Sequence, residues 1–275
     1  EDIAYSLFGI FGVNLPVIYG ERKQNALGRL LQEVVAQSGD ITCLDWVGKS
    51  SEFNSCLPAS IASYGVPPSA LPSPVSEDEI QMLVSSLRDT VDVELASKLY
   101  QTLNALSAPQ FAARRLRLHC IAFAVTEIRR RHDKDQESRS TFTIKADGLH
   151  DLCVNTDDEP ILSRARPAVQ SFLLVRPWHR SLLDLPDFTN FHNLSDTESV
   201  EYLSPPVSPS YDFPSRSHRQ IGLADFHSQS RALRLIVRLG QPFSAFLLAQ
   251  QWGGEYMRIA SDQNITASKR YGFYS

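Results

Sequence analysis

Leu116-Arg117-Leu118-His119-Cys120-Ile121-Ala122-Phe123-Ala124-Val125 is the stretch on which the fold turns. Upstream of it, apolar residues recur every three or four positions. From here on they run together or alternate. A near-continuous apolar run of this length reads as a central strand covered on both faces. Downstream, Phe142, Ile144 and Ala146 alternate with Thr141, Thr143 and Lys145, and Asp147-Gly148 then leads into residues 149–154. Asp-Gly between two short strands signals a hairpin, because its turn favours positive φ. Residues 172–175, 233–239, 243–250 and 256–260 read as further strands. Together they predict about six to eight strands in an antiparallel sandwich or curled sheet. Residues 187–230, with Asp196-Thr197-Glu198-Ser199 and the Ser-Pro pairs at Ser204 and Ser208, lack a core-forming stripe and read as a flexible insert. Both serines are candidate phosphorylation sites in that insert.

Working back toward the start, Ile80, Val84, Leu87, Val91, Leu95, Leu99, Leu103 and Leu106 mark one long amphipathic helix, with Asp92-Val93-Glu94 as a place where it could divide in two. Ser76 with Glu79 forms the capping box that starts it, and Pro109 closes the region. A helix lying against the body of its own chain is preferred to a coiled coil, because the spacing drifts after Val91. Pro58, Pro67, Pro68, Pro72 and Pro74 make residues 57–75 a linker or ordered loop. Ala26, Leu27, Leu30, Leu31, Val34 and Val35 predict a helix that Ser38-Gly39-Asp40 ends, and residues 41–47 read as a short strand. Ile3, Leu7, Ile10 and Phe11, flanked by Ala4 and Phe8, predict a first helix. The fold class is therefore α+β, with N-terminal helices followed by a mainly antiparallel β domain.

The front of the chain carries a resemblance. Glu1, Asp2, Ile3, Ala4, Tyr5, Gly9, Ile10 and Phe11, then Asn14, Pro16, Tyr19, Gly20 and Glu21, resemble the end of the fungal heterokaryon-incompatibility (HET) domain. Arg29-Leu30, Gln32-Glu33 and the segment from Asp40 to Trp46 extend the likeness to about residue 47. The chain departs from the family pattern at Leu31, which separates Arg-Leu from Gln-Glu, and at Arg22, where glycine is common. The family's upstream His-Thr-Trp, paired-Cys and Gly-Trp-Thr-Leu-Gln-Glu blocks are not in this sequence. The resemblance, the proline content and the change of periodicity together divide the chain into a C-terminal remnant of a HET domain at 1–56, a Pro-rich linker with the long helix at 57–110, and a β-rich domain at 111–275. The resemblance implies a setting of non-self recognition after hyphal fusion and programmed cell death. Tyr5, Tyr19 and Trp46 are expected in the core, with local partners for their polar atoms.

Chemistry is sparse. The 275 residues carry a net charge of −4, which excludes a basic nucleic-acid binder on bulk charge. There is no phosphate loop and no Gly-x-Ser-x-Gly elbow. Cys43, Cys56, Cys120 and Cys153 have no metal-ligand spacing and do not form a disulfide framework, so a reducing, cytoplasmic setting without a metal or cofactor is expected. No run is long enough to span a membrane. The opening, Glu1-Asp2-Ile3, has neither an initiator Met nor a basic leader, so the expectation is a piece of a larger protein without a signal peptide. Cys120 is expected as a buried small hydrophobe. Arg129-Arg130-Arg131 reads as a solvated hairpin end neutralised by Asp133, Asp135 and Glu137, while Arg164, Arg166, Arg176 and Arg180 would form a basic patch only if their strands align. The expected function is a non-catalytic module that binds a protein partner. The rivals are a hydrolase-like enzyme drawing on His119, Asp151 or Glu127, and a truncated paralogue without function.

Overall fold

The computed structural model describes residues 2–65, 76–131, 140–156, 161–162, 171–183, 217–251 and 253–270. These residues group into two compact units. The first takes residues 1–75, 106–179 and 240–275, and the second takes 76–105 and 180–239. The chain is α+β, and among the described residues every strand pair is antiparallel.

In the first unit, helix α1 (Asp2–Ile10) and helix α2 (Lys23–Ser38) precede the strands. α2 buries Ala26, Leu27, Leu30, Leu31 and Val35, the face that the spacing marks, and Gly39 caps it by donating its amide to Val35 O at 2.8 Å. Gly28 lies on the same face. A Cβ there would stand 2.4 Å from Cδ1 of Phe53, so only glycine lets the ring lie flat on the helix. The expected strand at 41–47 is instead a short 3₁₀ turn, Thr42–Leu44. Asp40 explains the difference: its Oδ1 accepts the Thr42 amide at 2.8 Å and bends the chain at the point where a strand would extend.

The strands are β1 (Gln110–Ala112), β2 (Arg115–Arg117), β3 (Cys120–Arg131), β4 (Ser140–Ala146), β5 (Leu152–Thr156), β6 (Phe172–Pro177), β7 (Phe243–Gln250), β8 (Tyr256–Arg258) and β9 (Ile265–Ala267). β1 and β2 form a hairpin of their own, and the main sheet runs β5-β4-β3-β6-β7-β8 with β9 also on β7. The sheet curls. Leu149 bridges Lys269, His150 N donates to Ser268 O at 3.0 Å, and Asp262 N donates to Asn155 O at 3.0 Å, so the segment around β9 returns to the β4–β5 side. The inside of the curl is one apolar cluster that includes Phe142, Ile144, Leu174, Leu247 and Ile265.

β3 is central in the sheet but is not covered on both faces. Val125 is buried inside, whereas Cys120, Ala122 and Ala124 on the opposite face are exposed. The helical layer packs on β6 and β7 through Val175 and Phe246 and leaves the outer face of β3 open. Cys120 is accordingly exposed rather than buried. The Asp147-Gly148 hairpin joins β4 to β5, but only Gly148 has positive φ, at 74°, and the loop between the strands is five residues long. The β1–β2 turn carries no sequence signal of its own. Its two residues, Ala113 (φ 48°) and Arg114 (φ 61°), adopt the left-handed conformation without the usual Asn-Gly signal. Asn54 Nδ2 donates to Arg114 O at 2.6 Å, and the Arg114 guanidinium lies over the Phe53 ring at 4.9 Å, so contacts hold this turn in place.

The helices and the curled sheet share a core. Phe8, Val13, Leu27, Leu31, Leu44, Phe53 and Leu57 form one cluster with Val175 and Phe246. Arg258 sits at this junction, buried, with its guanidinium 4.1 Å from the Trp46 ring and 3.9 Å from the Phe246 ring. Its Nη1 donates to Leu44 O at 2.7 Å and its Nη2 to Trp46 O at 3.0 Å. Burial pushes the guanidinium down to about 10, still protonated at neutral pH. Beside it lies a cavity of about 10 Å³, bordered by Asp45, Ser244, Ser261 and Asn264, no more than about one water requires.

In the second unit the long apolar stripe is divided between α3 (Glu77–Leu87) and α4 (Val93–Asn104). The Ser76–Glu79 capping box forms as expected. The division falls at Asp92, whose carboxylate accepts the Glu94 and Leu95 amides and starts a new helix. Residues 233–239 are not a strand. They belong to helix α5 (Ser217–Gly240), which also takes up the end of the expected insert. The Leu/Arg alternation there matches period two by coincidence: Ala232, Leu233, Leu235, Ile236 and Val237 are all buried, a broad helical face. Tyr100 Oη donates to Leu183 O at 3.2 Å, and Arg238 Nη1 donates to Ser181 O at 3.2 Å, so the turn Arg180–Leu183 is bonded to both α4 and α5. Residues 187–216, including Ser204 and Ser208, lie outside the described residues.

Arg258→Lys keeps the charge but removes the planar fork that reaches two carbonyls while stacking on two rings. We expect it to lower stability by about 2–3 kcal/mol, read as a lower thermal midpoint in circular dichroism.

Candidate interaction surface

The residues that carry the family resemblance fold into a short structure of their own. α1 places Ala4 and Phe8 in the core, and the turn after it buries Val13. The Tyr5 ring meets Phe8 edge-on at 5.4 Å. Its hydroxyl donates to Ile18 O at 2.8 Å and lies 3.1 Å from Glu21 Oε2, while the Ile18 amide donates to the Tyr5 hydroxyl oxygen at 3.3 Å. Arg29, reaching back from α2, donates to Glu21 Oε2 at 2.7 Å and to Pro16 O at 2.6 Å. The Glu21 side chain is only 7% exposed and that of Arg29 18%, so this ion pair is largely shielded from solvent. Tyr5, Pro16, Ile18, Glu21 and Arg29 thus fix the loop between α1 and α2 to both helices.

The end of α1 and the loop after it expose several large apolar side chains. Ile10, Phe11, Val17, Ile18 and Tyr19 are all exposed, Tyr19 at 95%. They are half of the large exposed apolar side chains among the described residues, gathered within ten positions of sequence. Scattered exposed apolar residues need no explanation, whereas five within ten positions of sequence mark this segment as a candidate contact surface. The expectation of three core aromatics therefore holds in part. Trp46 is buried and donates Nε1–H to Cys56 O at 2.8 Å, and Tyr5 is partly buried with its hydroxyl engaged. Tyr19 is not in the core, because the Tyr5 and Arg29 bonds turn the loop backbone inward and leave this side chain outside.

Of the other motif residues, Asp2 and Ile3 lie in α1, Asn14 and Pro16 are exposed, and Gly20 turns the chain with φ 78°. Glu1 lies outside the described residues. Val17 and Ile18 are not among the motif residues. Their only signal is an apolar triplet, Val17-Ile18-Tyr19, enclosed between Pro16 and Gly20.

Of the residues considered for chemistry, His119 stands away from Glu127, and each is engaged with its own neighbours. His119 pairs with Ser107 Oγ at 3.1 Å, just before β3. Glu127 is eight positions further along, about 26 Å in an extended strand. There it is paired with Arg129 and with Lys145 at 3.0 Å, which holds its carboxyl below the usual range. Asp151 pairs with Arg270 at 3.0 Å. No single site can use both His119 and Glu127. Arg176 is buried with its guanidinium over the Phe243 ring at 4.8 Å, and Arg180 is exposed and bonds Asn104 at 3.3 Å. Arg164 and Arg166 lie outside the described residues, as do Asp133, Asp135 and Glu137. Arg129, Arg130 and Arg131 are exposed at the end of β3. Among the described residues no cluster of His, Cys, Asp and Glu is arranged to hold a metal, and no helix is long and apolar enough to cross a membrane.

Removing Arg29 while keeping Glu21 leaves a shielded carboxylate without its cation. Arg29→Met is expected to cost about 3 kcal/mol, and adding Glu21→Gln should restore part of that loss in urea unfolding. Thiol chemistry gives a second test. Burial, with Asp40 and Asp45 nearby, pushes the Cys43 thiol up to about 12, so it stays a protonated thiol at pH 8. Under native conditions iodoacetamide should label exposed Cys153 and spare Cys43 until the protein is unfolded, as read by peptide mass spectrometry.

Comparison with known proteins adds a short likeness. The chain is 59% identical over 39 residues to the vegetative incompatibility protein HET-E-1 of Podospora anserina. That stretch is 14% of this chain and spans only 3% of the length of that protein. No family model matches the chain. No solved structure matches it. What the chain shares with a known protein is thus a HET-related segment.

Proposed function

We propose that this chain is a non-catalytic protein-interaction module of a fungal HET-type protein. It would act in non-self recognition, with programmed cell death as the response, in the cytoplasm. In this reading residues 1–56 are the C-terminal remnant of a HET domain, residues 57–110 a linker and helical region, and residues 111–275 an extension behind it. The observation that carries the proposal is the exposed apolar set Ile10, Phe11, Val17, Ile18 and Tyr19, presented by a loop whose backbone is already fixed. A preorganised loop loses little conformational freedom on binding, and exposed aromatic side chains supply large apolar contact area. The likeness to a vegetative incompatibility protein supports the biological setting.

The test is expression of the chain in fungal hyphae beside Phe11→Ser/Tyr19→Ser. Both positions are exposed, so the variant should keep its circular dichroism spectrum and thermal midpoint. We expect the native chain to alter viability after hyphal fusion and the double variant to lose at least about tenfold of that effect, since truncated interface anchors commonly cost about 2 kcal/mol each. Equal behaviour of the two folded proteins would contradict the proposal.

A further inference from the structure

We draw no further inference here: the strongest candidate, the exposed apolar face of Ile10, Phe11, Val17, Ile18 and Tyr19 at the turn between α1 and α2, belongs to the site already described, and nothing in the structure shows what covers it.

Discussion

A buried guanidinium joins the two layers of the first unit. Arg258 ends a strand of the curled sheet, yet its side chain lies between Trp46, from the segment after α2, and Phe246, from β7. Apolar contact alone would press the helices onto the sheet but would not fix their position, because the hydrophobic effect is non-directional. Two hydrogen bonds to consecutive parts of one loop, at Leu44 O and Trp46 O, supply that position. Desolvating a cation is costly, and here the carbonyls, the two ring faces and the attraction of Asp45 offset the cost. Trp46 is anchored in turn by Cys56 O, and Tyr64 Oη donates to Cys43 O at 2.5 Å, so residues 41–64 form an ordered strap over the core.

That strap fixes α2, and α2 fixes the loop. Leu27, Leu30 and Leu31 hold one side of α2 in the shared cluster while Arg29 leaves the other side to bind Glu21 and Pro16. The surface offered by Phe11 and Tyr19 is therefore an indirect product of core packing. The polar groups of Tyr5, Glu21 and Arg29 are used in bonding the loop to the helices, while Phe11, Val17, Ile18 and Tyr19 are left exposed.

Much of the fold could be read from the residues. The α2 face, the capping box at Ser76 and the β4–β5 hairpin each rest on local chemistry, and each formed. Sequence pattern and structure differ where tertiary contacts decide between local alternatives. Residues 233–239 satisfy both a two-residue and a helical period, and burial on nearly every side of the last α5 turns resolves the ambiguity toward helix. The β1–β2 turn is set by Asn54 and Phe53, more than fifty residues away in sequence, so no turn signal was there to read. At the candidate surface the motif itself was legible, but the exposure of Tyr19 was not, because it follows from where Tyr5 and Arg29 aim their hydrogen bonds. Arg258 gave no signal at all: one arginine in an alternating strand resembles any solvent-facing residue.

The central claim is that the motif helices and the curled sheet open as one body. Hydrogen exchange on the intact chain tests it by comparing the slowest amides of α2, around Leu30 and Leu31, with those of β6 and β7, around Leu174 and Leu247. One shared core predicts that both sets exchange with the same opening free energy and shift together with added denaturant. Exchange of the α2 amides at a much lower opening energy, with the strands unaffected, would mean that the helices are a separate appendage and would contradict the account.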